Sequence, residues 1–330
     1  TAMMNRRNNI LTTTSQSGMT LVELLVALAI GSFLMIGAVQ VYNQSRQAFV
    51  INESIARVQE TAQFAMDTLE ADLRMASNWG MHSRGPAIEG RSLVGDANPL
   101  GLPAPVGCGA DWALDLNRPV EGDNNAYALP CGPQGAAQAN SDTITARRAT
   151  VAPVAPQGGR LQIQSTRIQG QLFADGVMPV GFTAADSETH DLLINSYYVA
   201  ASSDLIPGVP TLRRKTLVSG VGGPAIADQE VAPGVENIQL QLGVDVDEDN
   251  TVDRYVNPGD GIMDPLDAAF IPGIRVLTAR IWLVVRGVTP EIGIQDNVNY
   301  QPGDMNLGTF NDQFRRMQVS KTILLRNSRS

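Results

Sequence analysis

The hydrophobic pattern of the chain changes twice. From Met19 to Tyr42 it reads MTLVELLVALAIGSFLMIGAVQVY, 24 residues with one charge, Glu23, and no polar face. At 1.5 Å per residue, a helix of that length can cross a bilayer core of about 30 Å. Past Tyr42 polar residues return, yet Ile51, Ile55, Val58, Ala62, Ala65, Leu69, Leu73 and Ala76 still recur at helical spacings of three and four. Glu53, Arg57, Glu60, Asp67, Glu70, Asp72 and Arg74 stand opposite them. No proline falls between Met19 and Gly85, and Gly80 is a suitable helix stop. The pattern predicts one helix over about 19–78, roughly 90 Å long. Residues 19–42 are its transmembrane part and 43–80 its amphipathic part, which lays an apolar stripe on a globular domain.

Beyond residue 80 the helical period is gone. Residues 81–140 are rich in Gly, Pro, Asn and Asp and are expected to form an irregular, loop-rich insertion. Short strand-like runs then alternate with turns: Thr143–Ala149, Leu161–Ile168, Leu192–Ala200, Thr211–Leu217, Ile238–Val244, Val276–Val285 and Met317–Leu325. The run Ile238-Gln239-Leu240-Gln241-Leu242 alternates strictly. Residues 141–330 therefore read as a β-rich globular domain. An antiparallel sheet packed on the second half of the long helix makes the fold α+β.

Composition adds three points. With 330 residues, 43% hydrophobic and 17% charged, the chain can bury a substantial core in one or two domains and is not disordered as a whole. The net charge is −9, and much of it is local: eight acids lie between Asp245 and Asp267 against one base, Arg254. No long basic run exists, so nucleic acid is not an expected partner. The pairs Arg147-Arg148 and Arg213-Arg214 read as solvated strand or turn charges. Cys108 and Cys131 are the two cysteines. Outside the cytoplasm they are expected to pair, closing a loop worth roughly 3 kcal/mol in the chain-entropy picture.

The acidic run is the best candidate for chemistry. Asp245, Asp247, Asp249 and Asp253 occupy positions 1, 3, 5 and 9 of an EF-hand-type spacing, with Asn250 at the sixth position, where a left-handed turn is needed. Alternating oxygens on a tight loop suit Ca²⁺. Val256 stands where a bidentate acid is expected, so Asp260 or Asp264 would have to complete the site. A plain solvated acidic hairpin is the competing reading. No GxSxG elbow, phosphate loop or dinucleotide fingerprint is present. His82 reads as a polar residue near the helix end and His190 as a loop residue, neither with a zinc spacing. The chain is not expected to be an enzyme.

The N-terminal segment decides the broader reading. Residues 1–18 are mostly polar, with Arg6 and Arg7 and no acids. A basic flank before the apolar run keeps the leader in the cytoplasm and exports the rest. An ordinary secretory signal is cut after its apolar region; here the small residue, Gly18, precedes it, so a cut there would leave the helix on the mature protein. Glu23 is costly near the start of a spanning helix unless it is paired or lies close to the interface. Thr1 is not an initiator residue, so translation is expected to start at Met3, Met4 or further upstream.

The string Gly18-Met19-Thr20-Leu21-Val22-Glu23-Leu24-Leu25-Val26 resembles the type IV prepilin processing motif. The resemblance implies that a prepilin peptidase cuts after Gly18, that Met19 becomes the N-methylated terminus, and that Glu23 helps dock the subunit into the fibre. Met19 departs from the Phe often found there. Four further stretches are similar to the PilW family of minor pilins: Ser141–Thr145, Val235–Asp245, Ala279–Arg286, and Phe314–Met317 with Leu324–Asn327. That resemblance implies a pilin-like fold and a minor pilin that helps start or cap a type IV pilus and ends near its tip. Its partners would be other minor and major pilins and the prepilin peptidase. It would sit in the inner membrane with a cytoplasmic N-terminus and a periplasmic domain, and later at the cell surface. The alternatives are a minor pseudopilin of a type II secretion system and a tip adhesin binding through residues 81–140.

Overall fold

The structure, a computed structural model, describes residues 18–329. The described residues fall into two compact units that divide after Glu53. One helix, α1 (Leu21–Met75), contributes to both. In the first unit every described residue, Gly18 to Glu53, is exposed. Among the described residues α1 is also the helix long and apolar enough to cross a membrane.

The second unit adds a short helix, α2 (Ala110–Leu114), and fourteen strands. In chain order these are β1 (Ile88–Glu89), β2 (Val120–Glu121), β3 (Ile144–Ala149), β4 (Gly158–Ser165), β5 (Gly170–Asp175), β6 (Glu188–Ala200) and β7 (Thr211–Gly220). They continue with β8 (Gly223–Pro233), β9 (Val235–Asp245), β10 (Arg254–Val256), β11 (Arg275–Arg286), β12 (Asn299–Tyr300), β13 (Gly308–Thr309) and β14 (Arg316–Leu324). Each of the seven runs read as a strand overlaps one of these. The architecture is α+β and pilin-like: a long N-terminal apolar helix and a large, mostly antiparallel β domain.

An eight-stranded sheet runs β1-β5-β4-β6-β3-β2, with β7 on β6 and β8 on β7. The 13-residue β6 pairs with β4 through Glu188–Asp191 and with β7 through Asn195–Ala200. A four-stranded sheet runs β10-β9-β11-β14. At the bulge in β11 opposite Gly243, a Cβ on that glycine would lie 2.2 Å from Thr278 Oγ1, so no larger residue fits.

Two hydrophobic clusters hold the unit together. In the first, Val58, Ala62, Ala65, Leu69 and Leu73 of α1 pack against Ile238, Leu240 and Leu242 of β9 and Ile281 and Leu283 of β11. Each large side chain buried there contributes about 1.5–3 kcal/mol. The helix ends at Met75, earlier than Gly80, because Ser77 takes a left-handed φ of 64°. Asn327 Nδ2 donates to the Ala76 carbonyl at 3.1 Å, satisfying a backbone group left open by the helix end.

The second cluster shows how residues 81–140, irregular over most of their length, are tied into the domain. They supply β1 and β2, the two ends of the main path of the large sheet, and bury Trp112, Leu114 and Leu116 against Ile163, Leu172 and Ile194. Arg147, read as solvated, is buried: Nε and Nη2 donate to the Trp112 carbonyl at 3.0 and 2.7 Å, Nη1 donates to that of Arg118 at 2.7 Å, and Glu121 pairs with it. Irregular backbone needs donors for its carbonyls, and a guanidinium offers five in a fixed fork. Arg213 is likewise buried, against Asp228 and Asp204, both at 2.7 Å.

Asp72 also differs from its expected place on the polar side of the helix. It is buried, and Oδ1 accepts from Arg148 Nε and Nη2 at 3.1 and 2.9 Å. Oδ2 accepts from Asn195 Nδ2 at 2.6 Å and Tyr197 Oη at 2.5 Å. Burial and the neighbouring carboxylate push the Tyr197 phenol well above its ordinary range, so it stays a donor. One helix carboxylate thereby ties α1 to β3 and β6. His190 lies buried within β6, not in a loop, with Nδ1 2.8 Å from the Thr150 carbonyl.

Candidate functional site

Three places carry the residues singled out from sequence. At the N-terminus, Gly18 and Met19 are exposed and precede the helix, and nothing lies within 4 Å of where a Gly18 side chain would start. Residues 1–17, with Arg6 and Arg7, lie outside the described residues. Thr20 is the N-cap, and its carbonyl accepts from Leu24 N at 3.1 Å. Thr20 Oγ1 accepts from Glu23 N at 3.3 Å, while Glu23 Oε2 accepts from Thr20 N at 2.9 Å and from Thr20 Oγ1 at 3.0 Å. This is a capping box, in which the two side chains satisfy each other's backbone donors. Thr20 is a capping residue to which the prepilin resemblance gives no role. The Thr-x-x-Glu spacing was the available signal.

Glu23 is thus held on its own helix end by the backbone N–H and the side-chain hydroxyl of Thr20. It remains exposed, on a stretch where Leu24, Leu28, Phe33 and Met35 are exposed as well. Ala27 and Gly31 lie in a shallow groove with Leu24, Leu28 and Met35.

The second place is the disulfide. Cys108 and Cys131 are bonded, with Cα atoms 4.5 Å apart and both residues buried in the second cluster. The bond closes a 23-residue separation around α2 and β2 and pins the segment whose carbonyls Arg147 holds.

The third is the acidic loop, the turn between β9 and β10. The chain reverses with left-handed φ values at Glu248 (64°) and Asn250 (66°), the latter as its position in the motif demands. One oxygen each from Asp245, Asp247 and Asp253 lies within 4.8 Å of the others. Asp249 does not join them: Oδ1 accepts from Thr251 N at 2.7 Å and Thr251 Oγ1 at 2.6 Å, and those bonds hold its carboxyl below the usual range. Asp260 and Asp264 do not reach the group either; each accepts from a backbone N–H two residues on, Ile262 N at 3.1 Å and Leu266 N at 3.0 Å. Short acids in turns hydrogen-bond their own backbone, which the EF-hand spacing alone does not reveal.

Two family models match the chain. The prokaryotic N-terminal methylation motif covers residues 13–39. Type IV pilus-assembly protein W covers residues 196–327, which includes β7, β8, β9, β11 and β14. No curated protein and no solved structure matches. Three of the four stretches compared with PilW fall inside the matched region, and Ser141–Thr145 falls outside it. Both matched families are structural. The chain is thus similar to type IV pilus-assembly protein W over residues 196–327 and to the prokaryotic N-terminal methylation motif over residues 13–39, and its apolar N-terminal helix, capped Glu23 and pilin-like β domain are consistent with a PilW-like, type IV prepilin-like protein.

Proposed function

We propose that this chain is a minor pilin that takes part in starting or assembling a type IV pilus at the inner membrane and ends near its tip. The observation that carries the reading is the contrast within α1. Every residue from Leu21 to Glu53 is exposed, while the same helix buries Leu69 and Leu73 further on. An apolar helix face that is not buried against the described residues is suited to a bilayer or to other helices around it.

On this reading the leader stays cytoplasmic and the β domain is periplasmic. A prepilin peptidase cuts after Gly18, and Met19 becomes the methylated terminus. The helix then passes from the bilayer into contact with the helices of other pilins. A carboxylate deep in a bilayer costs about 2.5–3.5 kcal/mol on insertion scales. The Thr20 donors offset part of that cost, and the amino terminus of a neighbouring subunit supplies the opposite charge. Glu23 would therefore be held locally before docking and paired between chains afterwards.

The test is the N-terminal mass of the protein recovered from membranes and from sheared surface fibres. The expected species begins at N-methylated Met19 and is present in both fractions. A chain that keeps residues 1–18, or one cut after Tyr42, would refute the processing. Absence from the fibres despite correct processing would move the protein to a secretion-system pseudopilus.

A further inference from the structure

The β9–β10 turn has an electrostatic arrangement that its own residues leave incomplete. Asp245, the last residue of β9, is fully buried. Its Oδ2 accepts from Asn250 N at 2.9 Å and faces Arg275 Nη2 at 3.5 Å. Its Oδ1 is equally shut from solvent and has no hydrogen-bond donor. A buried carboxylate oxygen without a donor is costly and calls for a partner. Asp247 and Asp253 each bring a carboxylate oxygen within 4.8 Å of one of the Asp245 oxygens, so the surroundings of that carboxylate are more negative still. The cation at hand is Arg275, and its charge is divided between Asp245 at 3.5 Å and Glu248 at 3.8 Å.

We infer that Asp245, Asp247 and Asp253 bind a divalent cation, with Ca²⁺ the fitting ion. The donors are hard oxygens alone, without imidazole or thiolate, which suits Ca²⁺ over zinc or copper. Two oxygens on opposite sides of one Ca²⁺ lie about 4.6–5.2 Å apart, twice its bond length, and the three carboxylates fit inside that span. Mg²⁺ demands tighter octahedral geometry and gives up its water reluctantly, so a turn with three acids favours the larger ion. Loop carbonyls and water fill the remaining positions. Asp245 anchors the ion at the end of a central strand of the four-stranded sheet, and Asp247 and Asp253 close over it from the turn. Bound Ca²⁺ would thus tie the β9–β10 hairpin down where β11 begins at Arg275. Asp247 Oδ1 and Asp253 Oδ2 themselves accept from Asp249 N at 3.3 Å and Val246 N at 2.7 Å, one bond each, while Asp249 stands outside the converging group with its Oδ1 accepting twice from Thr251.

The full-length mature chain, in detergent and stripped with chelator, is melted with chelator, with millimolar Ca²⁺ and with millimolar Mg²⁺. The expected result is a rise of roughly 1–5 °C in Tm with Ca²⁺, a smaller one with Mg²⁺, and one site by calorimetry with Kd of roughly 10⁻⁴–10⁻³ M. Asp247→Asn, at an exposed position, should weaken binding about tenfold, while Asp249→Asn leaves it unchanged. Equal melting with Ca²⁺ and chelator would overturn the site. So would equal shifts with Ca²⁺ and Mg²⁺, or equal losses in the Asp247 and Asp249 variants, since either marks a diffuse acidic surface.

Discussion

The two stretches of helix α1 share one backbone geometry and little else. From Leu21 to Glu53 the side chains are exposed all round, Phe33 by 79% and Leu34 by 70%. From Ser54 to Met75 a single face is buried, with Leu69 and Leu73 at 0%. The first stretch is apolar on every side as far as Tyr42 and is not buried against the described residues; the second is apolar on one stripe and docks that stripe on β9 and β11. The difference teaches that the helix is stabilised by two environments. The chain provides one of them, and on the proposed function a bilayer or neighbouring subunits provide the other.

The comparison breaks most visibly at Asp72. Asp72→Ala leaves Arg148 without its carboxylate and Tyr197 and Asn195 without their acceptor, and is expected to cost about 3–5 kcal/mol in denaturant unfolding of the domain. A loss below about 1 kcal/mol would mean that apolar packing alone anchors the helix. Next come matched truncations. Leu69→Ala should cost about 2–4 kcal/mol in the same transition, whereas Leu28→Ala should change it by less than about 0.5 kcal/mol. Similar values for the two would dissolve the distinction between the stretches.

Smaller effects sharpen it. Thr20→Val removes the cap and should loosen the first turn by about 1 kcal/mol, read as faster amide exchange at Glu23 in micelles. Glu23→Gln keeps a side chain able to complete the capping box but removes the charge. If docking depends on the charge, fibre incorporation falls sharply in Glu23→Gln and persists in Thr20→Val; the reverse order would assign Glu23 to capping alone. The smallest effect is at Glu70, whose carboxyl the hydrogen bond from Lys321 holds below its ordinary value near 4.5. The depressed value stabilises the fold above about pH 4.5 and that contribution is lost as the pH falls through the folded value. Lys321→Met should flatten the acid limb of the stability profile slightly, as expected for a partly exposed pair.

The legible parts of the fold share a cause. The seven strands stood out because their β-branched and alternating residues recur over short distances. β8, with its sequence Gly223-Pro224-Ala225-Ile226-Ala227-Asp228, lacks that signature and becomes a strand because β7 offers it a ladder across a two-residue turn. β1 and β2 are two residues each and owe their existence to the sheet edges they meet. Gln239 marks another limit. Alternation separates it correctly from the apolar face, yet it is fully buried, donating to the Asn140 carbonyl at 3.0 Å. Alternation reports polarity on a face and not whether water reaches it.

The amino-acid sequence by itself determined the long helix, its apolar first part, the Gly18–Glu23 motif with its Thr20 cap, and the positions of the main strands. All of these depend on residues within a few turns of one another, where spacing is geometry. The tertiary structure alone decided that Arg147 and Asp72 are buried ties, that residues 81–140 complete a sheet, and that Asp245, Asp247 and Asp253 converge while Asp249 turns away. Those outcomes depend on which carbonyls, carboxylates and strand edges meet across the fold, and a charge is buried only where distant partners arrive to satisfy it.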